Sequence, residues 1–427
     1  MQIPESQGWL QVRLRRDGRI SRRRLLRLSG AALGSAGLLG NLGLFAQQVK
    51  KQGRSCILLW LSGGPSQFET WDPKPGHEHG GQTRPIATAI AGVQIAEYWP
   101  RTAQMLRDVA LVRSLTNKEG SHERATYQLH TGRRPTGALK FPNFGSVVAH
   151  QLGDSQAELP NFVSIGETLG SGFLGVDVQP FVVSRPGALP DNVAASVTQE
   201  RLQRRLQMLY EHDSDFAGVA APRLADEHQG LYQQAVRMML SPKLKAFQLE
   251  DEPAKVAEAY GTSVFGRGCL VARRLVEQGV PFIEVRRGGW DNHQDIYARM
   301  PALCAEVDQA LAALVKDLKD RGLLERTLVV CLGEFGRTPK INPRAGRDHW
   351  PRSFSMALAG AGIRGGQVVG STTSDGTDVA QRPVLVEDVF QTFCRALGIN
   401  ANTELYTPSG RPLKIVDGGT VVSELFA

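Results

Sequence analysis

The chain has 427 residues and a formal net charge of +8 with histidine neutral. Residues 1–27 hold eight arginines against Glu5 and Asp17, so six of those charges lie in the first segment and the rest of the chain is near neutral. This excludes a nucleic-acid binder that works through a basic face, while the length suffices for one large α/β domain with insertions.

Ser21-Arg22-Arg23-Arg24-Leu25-Leu26-Arg27 precedes an apolar, Gly/Ala-rich stretch that ends at Ala46. A basic segment before a weakly hydrophobic one has the form of a twin-arginine export signal, and its recurrent glycines make a poor bilayer span. Residues 1–46 therefore read as a leader. They imply export to the periplasm or cell envelope, with the export machinery as a partner and membrane contact only through an uncleaved leader. Five cysteines, Cys56, Cys269, Cys304, Cys331 and Cys394, are far apart and read as buried thiols, with no C-x-x-C zinc spacing.

Cys56 to Leu61 is a continuous apolar run, the form of a parallel strand buried on both faces, and it stops at Ser62-Gly63-Gly64-Pro65. Val109 to Leu115 reads as a second strand and Ser121 to Gly132 as a helix. Gln199 to Tyr260, rich in Arg, Glu, Gln and Leu, reads as a helical insertion. Val280 to Val285 is a third strand, followed by a helix with Leu303, Val307, Leu311, Leu314 and Leu318 on one face and Gly322 as its stop. Thr327–Leu332 and Phe354–Ala359 are further strands, and Val386–Leu397 is a helix. Strand, helix and strand in succession predict an α/β fold with a largely parallel central sheet. The domain is expected over residues 54–400, with 401–427 as a C-terminal extension.

Ligands of such sheets bind beyond the carboxyl ends of the strands. The segments after the strands carry the chemistry here. Asp291, His293, Glu334, Asp348 and His349 are ordinary donors for a divalent ion (zinc, calcium or manganese). Glu334 has Arg337 as its alternative partner. Arg124 and Arg347 are candidates to hold an anionic group, and Ser121 or Thr116 to act as nucleophile.

In order along the chain, Leu61-Ser62-Gly63-Gly64-Pro65-Ser66-Gln67, Trp71-Asp72-Pro73, Gly288-Gly289-Trp290-Asp291, Gly333-Glu334-Phe335-Gly336-Arg337-Thr338 and Gly346-Arg347-Asp348-His349-Trp350-Pro351 resemble the bacterial family called domain of unknown function 1501. That family looks like a distant branch of the alkaline-phosphatase and sulfatase superfamily. The resemblance implies a metal-dependent hydrolase of sulfate or phosphate esters, with an anionic ester substrate such as a polysaccharide. By position, Asp291 and His293 resemble the mid-chain metal segment and His349 the late histidine, while Leu129 to Pro135 resembles the end of the nucleophile helix. Ser62-Gly63-Gly64 stands where the superfamily has a metal-binding Asp, leaving Glu69 or Asp72 to substitute, and Phe335 stands where a His follows the second acid. The competing expectation is a non-catalytic envelope protein on the same fold.

Lysine at both Arg22 and Arg23 is expected to block translocation, because the export receptor reads paired guanidinium groups and not charge alone. Cell fractionation tests this, and undiminished export of the double variant refutes the signal.

Overall fold

The computed structural model describes residues 53–426 apart from 138, 194–196 and 218–221. The leader assigned to residues 1–46 lies outside the described residues. In chain order the main elements are β1 (Ser55–Leu61), β2 (Ala110–Leu115), α1 (His122–Thr131), α2 (Phe144–Leu152), β3 (Phe162–Ile165), β4 (Phe181–Val183), α3 (Gln199–Ala217), α4 (Pro222–Leu240), α5 (Val264–Glu277), β5 (Phe282–Arg287), α6 (Ile296–Asp320), β6 (Thr327–Leu332), β7 (Phe354–Ala359), β8 (Val368–Val369) and α7 (Val386–Leu397).

The eight strands form one sheet in the order β8-β2-β7-β6-β1-β5-β3-β4. Every strand pairing is parallel except those of β7, which runs antiparallel to β2 and β6. The expected α/β class with a largely parallel sheet is the one found, and β7 is the exception to parallel pairing. Its reversal matters for the site. The start of β7 lies at the same end of the sheet as the carboxyl ends of its neighbours, so residues just before Phe354 reach the strand-end loops.

Strand β1 is central because every one of its residues is buried. Its side chains alternate. Ile57, Leu59 and Leu61 belong to one core cluster with residues of α5 and α6, whereas Cys56, Leu58 and Trp60 belong to another with residues of α2 and α7. Period-two alternation with both phases apolar is what a strand covered on both faces requires. All five cysteines are buried and free, and burial pushes the Cys56 and Cys331 thiols up. Residues 199–260 contain α3, α4 and a short helix at Ala254–Tyr260, as the composition predicts. Leu405, Ile415, Val416, Val422 and Leu425, in the segment read as an extension, pack into the second core. Strands β3 and β4 and helices α2 and α5 have no counterpart in the sequence reading.

Helix α1 is tied to the sheet by a buried ion pair. His130 Nε2 lies 3.1 Å from Glu284 Oε1 of β5, and its Nδ1 lies 2.9 Å from the Thr126 carbonyl oxygen. Thr168 donates its hydroxyl to the other Glu284 oxygen at 2.7 Å, and Trp60 packs edge-on against the imidazole. Both imidazole nitrogens face acceptors, which favours the cation.

Burial pulls the His130 pKa down, but the charge and hydrogen bond of Glu284 outweigh it and leave the group raised above its ordinary value. A group raised in this way stabilises the fold fully below its unfolded pKa of about 6.5, and the contribution fades as pH rises through the higher folded value. Glu284→Gln is therefore expected to destabilise the protein most near about pH 6 and less as pH rises. Urea unfolding of both proteins across a pH series tests this, and a gap that widened with pH would contradict it.

Candidate metal centre and its cleft

Four chain segments meet beyond the carboxyl ends of β1, β2, β5 and β6. The turn after β1 is the most constrained. Gly63 has φ +119°, and a Cβ there would lie 2.5 Å from the Asp291 backbone nitrogen. Only glycine accepts both that torsion and that approach. Its N–H donates to both carboxylate oxygens of Glu334, at 2.9 and 3.1 Å.

The loop after β5 carries Asp291 and His293, the one after β6 carries Glu334, and α1 starts with Ser121 as its N-cap and His122 as its first residue. His349 reaches the same place through a two-residue ribbon, His349–Trp350, paired antiparallel with Gly336–Arg337 just before β7.

Asp291 Oδ1 is the common point of this arrangement. His122 Nε2 lies 3.3 Å from it, His293 Nε2 3.0 Å and His349 Nε2 3.2 Å. The donor atoms of His122, Asp291 and His349 all lie within 4.8 Å of one another. Each imidazole is held from behind through Nδ1: His122 by Glu334 Oε1 at 2.7 Å, His293 by Asp348 Oδ1 at 2.7 Å, and His349 by the Gly120 carbonyl at 2.8 Å. An acceptor at Nδ1 fixes the proton there and turns the Nε2 lone pair inward, as outer partners of metal-bound histidines do.

The donor set fits a cation. His122 Nε2 is buried with no hydrogen-bond partner. The Nε2 atoms of His293 and His349 lie 3.0 Å apart, and two lone pairs at that distance repel unless a positive charge lies close by. His122, Asp291 and His349 are thus the residues that could hold a divalent ion, and His293 Nε2 stands beside them, 3.0 Å from both Asp291 Oδ1 and His349 Nε2.

Electrostatics agree with this division of roles. Burial pushes the Asp291 carboxyl up, but the hydrogen bond and charge of Arg337 prevail and hold it at about 2. Arg337 is completely buried and also donates to the carbonyls of Gly63, Gly64 and Arg347. The hydrogen bond to Glu334 raises the His122 pKa, burial lowers that of His349, and the hydrogen bond from His293 lowers that of Asp348.

The sequence-derived set divides accordingly. Asp291, His293 and His349 converge as expected. Glu334 and Asp348, expected as ligands, instead orient His122 and His293. Arg337, expected to pair with Glu334, pairs with Asp291. Arg347, expected at the anion, is completely buried, donates to Glu69 and to the carbonyls of Thr338, Pro339 and His79, and lies over the Phe68 ring. Arg124 is bound bidentately to Glu119 at 2.8 and 3.1 Å and does not line the cleft. Neither substitute for the missing acid reaches the centre, because Glu69 pairs with Arg347 while Asp72 is engaged by Lys74 and Thr372. Phe335 packs 4.6 Å from the His349 ring and 4.9 Å from that of His122. His122 is the residue the sequence reading passed over. Its signal was its place between Ser121 and Arg124 at the start of a helix.

Beside this cluster lies a cleft of about 530 Å³, lined by residues that include Trp60, Thr126, His130, Thr168, Glu284 and Arg286. His122, Thr126 and His130 repeat every fourth residue along α1, so the cleft follows that helix for about 12 Å from the cluster.

Residues 53–426 match the family model described as a protein of unknown function, DUF1501, and the chain belongs to that family. No curated protein matches the sequence. Similar solved structures include a sulfatase from Pseudoalteromonas sp., at 15% identity and TM-score 0.37, covering 84% of this chain and 70% of that one. Another is the phosphonate monoester hydrolase of Agrobacterium radiobacter, at 14% identity and TM-score 0.35, with coverage of 87% and 77%. A third is a protein in the alkaline phosphatase superfamily from Vibrio parahaemolyticus, at 11% identity and TM-score 0.37, with coverage of 82% and 68%.

Asp291→Asn, His122→Ala and His349→Ala are each expected to lower bound divalent metal by roughly tenfold or more at limiting metal, because each removes an inward-facing donor; the two histidine variants retain the fold, whereas Asp291→Asn also costs stability by leaving the buried Arg337 without its counter-charge. Elemental analysis alongside circular dichroism measures both. Full occupancy in all three variants removes these residues from the centre.

Proposed function

We propose that this DUF1501 protein is a metal-dependent hydrolase of phosphate or sulfate esters that works after export, in the periplasm or cell envelope. The observation that carries the reading is the convergence of three imidazole Nε2 atoms on Asp291, each imidazole pinned at Nδ1, at the mouth of a cleft.

Three nitrogens and one carboxylate oxygen suit zinc or manganese better than calcium, which prefers oxygen donors throughout. When bound, such an ion supplies Lewis-acid polarisation of an ester oxygen. The chain's own groups then have distinct roles. Asp291, His122, His293 and His349 hold the ion, while Glu334, Asp348 and the Gly120 carbonyl fix the imidazoles. Ser121 is exposed at the N-terminus of a ten-residue helix, and its hydroxyl makes no capping hydrogen bond. Free amides at that terminus favour the negative charge that grows on the phosphoryl or sulfuryl group during attack.

A non-catalytic envelope protein is the second reading. It is favoured by the replacement of the first-strand acid by Ser62-Gly63-Gly64, with Glu334 already committed to Gly63 and His122. Metal analysis of the purified protein separates the two, followed by a panel of aryl phosphate and sulfate esters. No bound divalent metal and no turnover with metal supplied favours the second reading.

With Ser121 as the nucleophile, Ser121→Ala is expected to reduce aryl ester turnover by several orders of magnitude, roughly the loss seen when a covalent nucleophile is removed. Steady-state kinetics at saturating metal test this, and a fall of only a few-fold shifts the attack away from Ser121.

A further inference from the structure

Anionic esters need a fixed positive group besides the metal-type cluster, and the two arginines expected for that purpose are committed elsewhere. Arg286 is the one Lys or Arg side chain among the described residues that line the cleft. It stands on β5 two residues after Glu284 and therefore on the same face, with Trp60 of β1 beside it in register. Its side chain is 37% exposed. Its charged contact is Glu167 Oε2 at 3.6 Å, from a side chain that is itself 93% exposed. Its Nη2 donates to Ser62 Oγ at 3.1 Å. A guanidinium has five N–H donors in a rigid fork, so these two contacts leave most of its capacity unused.

The carboxylates of the cleft limit how much negative charge it accepts. Five line it: Glu123, Glu167, Glu284, Asp291 and Glu334. Three are engaged, Asp291 by Arg337, Glu334 by Gly63 and His122, and Glu284 by His130 and Thr168. The remaining two, Glu123 and Glu167, are exposed. The lining thus holds one guanidinium and two solvent-exposed carboxylates, of which Glu167 lies beside Arg286.

We propose that Arg286 is the anion-recognition residue of the cleft and that, set against Glu123 and Glu167, it selects singly charged tetrahedral esters over doubly charged phosphate monoesters. Sulfate monoesters and phosphate diesters share that chemistry. The proposal rests on the hydrolase reading above. A bound divalent ion offers its charge to either kind of ester; beyond it, a second negative charge on the substrate finds no second guanidinium and is repelled by both glutamates, whereas one negative charge is matched by the fork of Arg286.

Benzenesulfonate and phenylphosphonate test this directly, since they have the same shape and cannot be hydrolysed as esters. At pH 8 the first carries one charge and the second mostly two. A phosphonate dianion also binds a divalent ion more strongly than a sulfonate does, so isothermal titration of the metal-replete full chain is read as the change in each probe's affinity between that chain and its variants. Arg286→Gln is expected to weaken benzenesulfonate by about tenfold while metal content and thermal stability stay unchanged. The double variant Glu123→Gln with Glu167→Gln is expected to raise phenylphosphonate affinity several-fold and to change benzenesulfonate affinity much less. Turnover of an aryl sulfate and of a bis-aryl phosphate then tells which monoanion the enzyme hydrolyses. Unchanged benzenesulfonate affinity in Arg286→Gln, or a double glutamate variant that gains no phenylphosphonate affinity, overturns the proposal and leaves the hydrolase reading standing. Binding of neither probe to a chain with its metal in place overturns both.

Discussion

Asp291 Oδ1 is the atom on which the site depends, because the loops after β1 and β5, the start of α1 and the ribbon before β7 are all referred to it. Its position is set by Arg337, whose guanidinium is wholly buried. A charge removed from water in this way is tolerated only when its donors are satisfied and an opposite charge adjoins it. Arg337 meets both conditions through Asp291 and the carbonyls of Gly63, Gly64 and Arg347. One side chain thus fixes the exit of β1, the hairpin that carries His349 and the carboxylate to which three imidazoles point.

Where the superfamily resemblance implies an acid after the first strand, this chain uses backbone. Gly63 closes on the Asp291 backbone and offers its N–H to Glu334, so the space of a side chain is filled by main chain. Glu334 is then no longer free to coordinate and becomes the partner that orients His122. Phe335, in contact with the rings of His122 and His349, adds an apolar wall. The result is a compact cluster of nitrogen donors around one carboxylate, next to a cleft with a single guanidinium of its own.

Two histidines of α1 illustrate how one helix serves both fold and site. His130 is locked onto Glu284 beneath the cleft, while His122, two turns earlier, stands at its mouth. The eight-residue separation puts both on one face of the helix. Anchoring His130 therefore also fixes the direction in which His122 points.

The strongly patterned elements were legible in the sequence. Continuous apolar runs announced β1 and β6, the spacing of Leu303, Val307, Leu311, Leu314 and Leu318 announced α6, and the stripe from Val386 to Leu397 announced α7. Strands β3 and β4, of four and three residues, carry too few residues to show a period. Asp291, His293 and His349 could be named because Asp and His in strand-end loops are informative by residue type and place. Whether a carboxylate coordinates or orients was not legible, since Glu334 and Asp348 look like ligands until the Nδ1 atoms of His122 and His293 are seen to take them. The arginines followed the same rule: burial and pairing assigned Arg347 to the scaffold, bound Arg124 to Glu119, and left Arg286 in the cleft. Periodicity and residue chemistry are local properties, so the sequence by itself determined the sheet-and-helix class and the kind of donors present. The partner of each charged side chain depends on contacts between residues far apart in the chain, and only the tertiary structure decided those.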